Sequence, residues 1–239
     1  MSNFDELFLD QVRRDNAQFG IESVYLPNPV FTSAPDYCFI AMEPSLGRMS
    51  LDVFTERRKQ GFLNFLLSEE DFILQYCAHK FLCNGAFRYA ITDISKGAIK
   101  VSMATRDRRS RYENWKPLLR MEIEVLGHPK LIAIGGAARE FLKRESFGCE
   151  FEIRHFSLQN NSKFSKDYED SLEKIEAENI EVKLREFANI LLEANGYGKD
   201  LKNWVLGKVF TKKLSTWKKG LFLNYKKSFS EFAALKPSL

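Results

Sequence analysis

Four short apolar segments, each closed by polar or turn-forming residues and separated by stretches of helical period, constrain this chain more than any other feature. They span 37–42, 87–92, 130–134 and 150–154. Compact apolar runs of this kind are what strands become when helices cover both faces of a parallel sheet. Between them, Trp115, Leu118, Leu119, Ile123 and Leu126 form one helical stripe, with Asn114 as N-cap, Pro117 in the first turn and Gly127 as the stop. A second helix is predicted after Gly135-Gly136, carrying Ala138, Phe141 and Leu142 inward, and a third over about residues 62–81. Strands alternating with helices predict an α/β protein, a three-layer α/β/α sandwich around a central four-stranded parallel sheet.

The 239 residues suffice for one substantial core but not for two large domains. The last third differs in composition. Residues 166–194 read as a long acidic helix that Asn195–Gly198 breaks, and residues 199–227 hold nine lysines and one acid, Asp200, among aromatics. This divides the chain into an α/β domain over 1–165 and a helical, basic, lysine- and aromatic-rich extension over 166–239 packed on it. A net charge of +4 does not by itself indicate a nucleic-acid partner. Cys38, Cys77, Cys83 and Cys149 form no C-x-x-C pair, so neither a zinc ribbon nor a cysteine-ligated cluster has its usual spacing, and reduced thiols are expected. The acidic N-terminus and the lack of any run of roughly 18–20 apolar residues predict a cytoplasmic protein with no membrane segment.

Ligands of open parallel sheets bind beyond the carboxyl ends of the strands. The residues there are Met42-Glu43-Pro44-Ser45, then Thr92-Asp93 with Lys96, then Gly135-Gly136-Ala137-Ala138, then His155-Phe156-Ser157-Leu158-Gln159. Pro44 keeps Glu43 out of the α region, so it should project from extended backbone. The glycine pair opens a helix whose backbone N–H groups form a modest anion site.

In this order and spacing the four groups resemble the uracil-DNA glycosylase superfamily, over about residues 37–162. Ala41 stands where the family has glycine, and the two prolines that usually flank the serine after the histidine are absent. The resemblance implies a monofunctional glycosylase with DNA as partner, acting as a monomer without a cofactor and leaving an abasic site. It implies Glu43 as the carboxylate beneath the sugar and His155 as the donor to the pyrimidine O2, with Met42 at the base. A stacking ring is expected from Phe54, with Phe62 as competitor. Ser45 and Ser157 are the implied phosphate contacts, and Leu158 or Gln159 the wedge that fills the flipped nucleotide's place. Beside the resemblance, Arg106, Arg108, Arg109 and Arg111 cluster ahead of the Trp115 helix and, with Lys96 and the backbone at Gly136, are further candidate DNA contacts.

Asp93 replaces the family's usual asparagine. A carboxylate only accepts, so it should disfavour uracil O4 and favour the 4-amino group of a cytosine-type base. Members of the family that attack modified cytosine in phage DNA as a defence set the pattern for this expectation. The departures at Ala41 and after His155 keep a second reading open, a catalytically inactive module that binds DNA or a protein. A nucleoside hydrolase acting on small molecules is a third.

Overall fold

The computed structural model describes residues 3–47, 49–156 and 179–235. It is an α/β fold with a four-stranded parallel sheet, as the alternation of strands and helices predicts. The strands are β2 (Tyr37–Ala41), β3 (Tyr89–Asp93), β5 (Lys130–Ile134) and β6 (Phe151–Ile153), in the order β3-β2-β5-β6. β2 and β5 run parallel, with Tyr37 beside Lys130 and Ile40 beside Ala133. A separate antiparallel ribbon joins β1 (Ser23–Tyr25) to β4 (Gly97–Ile99). The helices are α1 (Asn3–Phe19), α2 (Leu51–Lys59), α3 (Glu69–Cys77), α4 (Arg108–Val125), α5 (Gly136–Arg144), α6 (Ile180–Ala194), α7 (Lys199–Val209) and α8 (Thr216–Ala234).

The chain separates into two compact units, Met1–Asn64 with Ala90–Glu152, and Phe65–Tyr89 with Ile153–Leu239. In the first, Cys38 and Ile40 of β2 and Leu131 and Ala133 of β5 alternate onto one face, where Tyr112, Leu119 and Ile123 of α4 and Phe141 and Leu142 of α5 cover them. Phe39 and Ile132, on the opposite face, are also fully buried. α1 lies against α4 through Phe8, Val12 and Trp115. Buried Asp15 fixes that contact by accepting from Trp115 Nε1 at 2.6 Å and Asn114 Nδ2 at 3.1 Å.

In the second unit Tyr76 of α3 meets Phe187 of α6 edge-on at 5.5 Å and Phe222 of α8 at 6.1 Å. Phe222 and Tyr225 are core residues there, and Lys218 pairs with Glu69 and Glu70. These parts of the basic, aromatic-rich tail are therefore structural. Trp204 remains 42% exposed.

Two helical expectations are corrected. The stripe predicted to start at Asn114 begins at Arg108, and Pro117 lies inside the helix. The continuous helix expected over residues 62–81 is interrupted. Ser68 and Asp71 form a reciprocal capping box that starts α3, and Phe65 before it has a left-handed φ of +56°. A π-helical turn, Ala78–Leu82, continues α3. No described helix is long and apolar enough to cross a membrane.

Candidate functional site

Glu43 leaves the end of β2 through an extended segment that Pro44 continues. The carbonyl of Pro44 accepts from Ile99 N at 3.1 Å, and Leu46 N donates to the Ile99 carbonyl at 3.0 Å. The neighbouring strand end is tied in step, since Ile94 N donates to the Ala41 carbonyl and Ser95 N to the Met42 carbonyl. Glu43 and Asp93 thus leave adjacent strands at the same edge of the sheet.

The Glu43 carboxylate is only 5% exposed and sits among donors from the first turns of α4. Arg108 Nη2 donates to Oε1 at 2.9 Å, Tyr112 donates its hydroxyl to Oε2, and Arg111 Nη2 stands 4.0 Å from Oε2. Both guanidiniums also donate to the Ala104 carbonyl, at 3.0 and 2.8 Å, which holds the loop before α4 against them. Burial, together with the carboxylate beside it, pushes the Tyr112 hydroxyl well above the ordinary tyrosine range, so it serves as a donor. Paired charges of this kind are how a protein keeps a carboxylate out of water without neutralising it.

Asp93 belongs to a second polar cluster. Asn64 Nδ2 donates to Asp93 Oδ2 at 2.7 Å and to Asn28 Oδ1 at 3.1 Å, and Asn28 Nδ2 donates to Thr92 Oγ1 at 2.9 Å. Thr92 Oγ1 donates to Glu122 Oε1 at 2.9 Å. Lys96 Nζ donates to Thr92 Oγ1, to the Asp93 carbonyl and, at 2.8 Å, to Glu122 Oε2. At 1% exposure, with those three acceptors, Lys96 cannot present its charge to a DNA phosphate, so the expected phosphate contact is corrected to a structural ion pair.

The other implied residues are dispersed. Met42 packs beside the α4–α5 core, whereas Ser45 is exposed and accepts from Gly47 N at 3.0 Å. Phe54 and Phe62 are both buried, and the Arg57 guanidinium lies 5.6 Å from the Phe62 ring centre. Arg109 is exposed on the same turn of α4 as Arg108. Gly136 opens α5, but the Glu152 carboxylate, paired with Arg139 at 2.9 Å, lies nearby and competes with any anion there. His155 belongs to the second unit, where its ring stacks on Phe156 at 4.6 Å and burial lowers its pKa. Ser157, Leu158 and Gln159 lie outside the described residues.

Sequence reasoning missed Tyr112, Asn28 and Asn64, and it read Arg111 as one of a cluster of DNA-facing arginines, whereas Arg111 is buried beside Glu43. Tyr112 had a legible signal, because it continues the Trp115–Leu119 stripe one turn upstream. The two asparagines, in loops flanked by proline or apolar residues, had none. Among the described residues no group of His, Cys, Asp or Glu could hold a metal ion. No family model matches the chain, and no curated protein matches it.

Proposed function

We propose that the protein is a monomeric, cytoplasmic DNA glycosylase of the uracil-DNA glycosylase type. It hydrolyses the N-glycosidic bond of a flipped, modified pyrimidine, cytosine-type in preference to uracil, in defence against phage with modified DNA. The observation that carries this reading is the pair of buried carboxylates, Glu43 and Asp93, that leave neighbouring strands at one sheet edge, each held by donors.

In this mechanism the bond between C1′ and the base nitrogen breaks, and its electron pair leaves with the base. The Glu43 carboxylate stabilises the positive sugar and orients the water whose oxygen bonds to C1′; the proton this water loses passes to solvent, and the departing base anion takes one up from solvent. Asp93 accepts from the 4-amino group. Arg109 and Arg106, exposed beside the site, take backbone phosphates. The reaction needs the nucleotide outside the duplex stack.

One observation favours the second reading, a module that binds DNA without cutting a bond. Both oxygens of Glu43 already take protein donors. Scoring alkali-labile sites in modified DNA, with binding measured in parallel, separates the two. Abasic sites that vanish in Glu43→Gln while binding persists support the enzyme, and tight binding with no abasic sites supports the module.

A further inference from the structure

Within the first unit, α1, the end of α4 and the loop after β1 enclose a hollow of about 280 Å³ against β3, the edge strand of the sheet. That volume is roughly twice the ~150 Å³ that takes one benzene and close to the lower end of small-molecule sites. The walls are mostly apolar, with the rings of Phe4, Phe8 and Tyr25 and the side chains of Ile91, Val125 and Leu126. No step of the proposed reaction uses this space.

Among the described residues two charged groups line the hollow, and both are carboxylates, Asp5 and Glu122. Glu122 is already neutralised, because Lys96 pairs with it at 2.8 Å and Thr92 donates to its other oxygen at 2.9 Å. Asp5 is not. Its Oδ1 accepts from the Tyr25 hydroxyl at 2.5 Å, and no cation among the described residues pairs with it. Burial and the bond to Asp5 push the Tyr25 hydroxyl far above the ordinary tyrosine range, so it stays a neutral donor and leaves the charge uncancelled. Arg58 lies 5.4 Å from the Tyr25 ring centre but does not line the hollow. A neutral apolar occupant would strip water from Asp5 without replacing it, and an anion would meet two carboxylates. An ammonium compensates Asp5 and finds aromatic faces beside it. The fold uses this combination once already, where the Lys96 ammonium stands 5.2 Å from the Phe8 ring centre next to Glu122.

We infer that this hollow binds a small lipophilic amine, an ammonium carried on an aromatic or short aliphatic body, and that Asp5 selects its charge. The site includes neither Glu43 nor Asp93 and does not depend on the glycosylase reading.

Tryptamine, tryptophol and indole-3-acetate share one ring body and end in an ammonium, a hydroxyl and a carboxylate. Isothermal titration of the 239-residue chain at pH 7 is expected to place tryptamine about ten- to a hundredfold above tryptophol, the worth of a hydrogen bond to a charged group, with indole-3-acetate weaker still. Asp5→Asn keeps an acceptor for Tyr25, and should bring tryptamine down to the level of tryptophol while leaving tryptophol unchanged. Val125 is 66% exposed, so Val125→Arg adds a cation to the wall without disturbing the core and should weaken tryptamine more than tryptophol. This second variant decides the matter even if Asp5→Asn fails to fold. Equal affinity for the three ligands would make the hollow a plain apolar gap and overturns the inference. So does the lack of saturable tryptamine binding by about 1 mM, or a tryptamine affinity that the folded variants leave intact. A dimer that Val125→Arg dissociates would assign the hollow to a second copy of the chain, and that also overturns it.

Discussion

Replacing Lys96 with methionine tests whether this lysine is a structural ion or a DNA contact. The ammonium is 1% exposed and serves three acceptors, Glu122, Thr92 and the Asp93 carbonyl, with the Phe8 ring centre 5.2 Å away. Methionine keeps the apolar stem and removes every donor. Breaking a buried pair from one side costs about 3–5 kcal/mol because the remaining charge stays uncompensated. Glu122 is 18% exposed and regains some hydration, which trims the loss to about 2–4 kcal/mol, a large part of a typical stability of about 5–15 kcal/mol. The double variant Lys96→Met/Glu122→Leu removes both charges and should recover most of that loss. Urea unfolding can be followed in a Trp204→Phe/Trp217→Phe background, where buried Trp115 is the tryptophan that remains and reports on its own unit. A loss below about 1 kcal/mol, or a double variant no better than the single, would refute the ion-pair argument. DNA affinity of the folded variant should keep its salt dependence, since a buried ammonium releases no counterions.

Other consequences follow from particular contacts. Lys116 at 2.6 Å and Arg144 at 2.5 Å hold Glu145 down from the ordinary 4.5 to about 2. A depressed carboxyl stabilises the fold above its unfolded pKa and loses that contribution as pH falls through the folded value, so wild type should exceed Glu145→Gln in stability at pH 6 and converge with it near pH 2. A constant gap across that range would contradict the pairing. Gly97→Ala would set a Cβ 2.8 Å from Ser23 Oγ, itself tied to Asn16 at 2.6 Å, and should cost about 1–3 kcal/mol by thermal unfolding. An unchanged melting temperature would mean that the β1–β4 ribbon can shift. Arg109→Ala should weaken binding of all DNA sequences alike and lower the log–log salt slope by about one, and an unaltered slope would take Arg109 off the interface.

The periodicity carried most of the sheet. β5 lies where its apolar run is, and β2 ends one residue early, because apolar runs closed by turn residues leave little choice of register. α4 was legible only where its stripe is apolar. Its first turns read as a charged loop, yet Arg111 and Tyr112 are buried there, compensated by a carboxylate more than sixty positions upstream. No local pattern encodes such a pairing. The same holds for Asn64, whose partners Asn28 and Asp93 come from other loops and strands. Lys96 was misread because a lysine after a strand looks solvent-facing until the acid on α4 that neutralises it is located.

Mass spectrometry of the small molecules released when the protein meets DNA with modified cytosines addresses the central claim most directly. Hydrolysis at C1′ predicts the free modified base in one-to-one yield with abasic sites, abolished in Glu43→Gln. Release of nucleosides or nucleotides, or of nothing while the DNA stays bound, would contradict it.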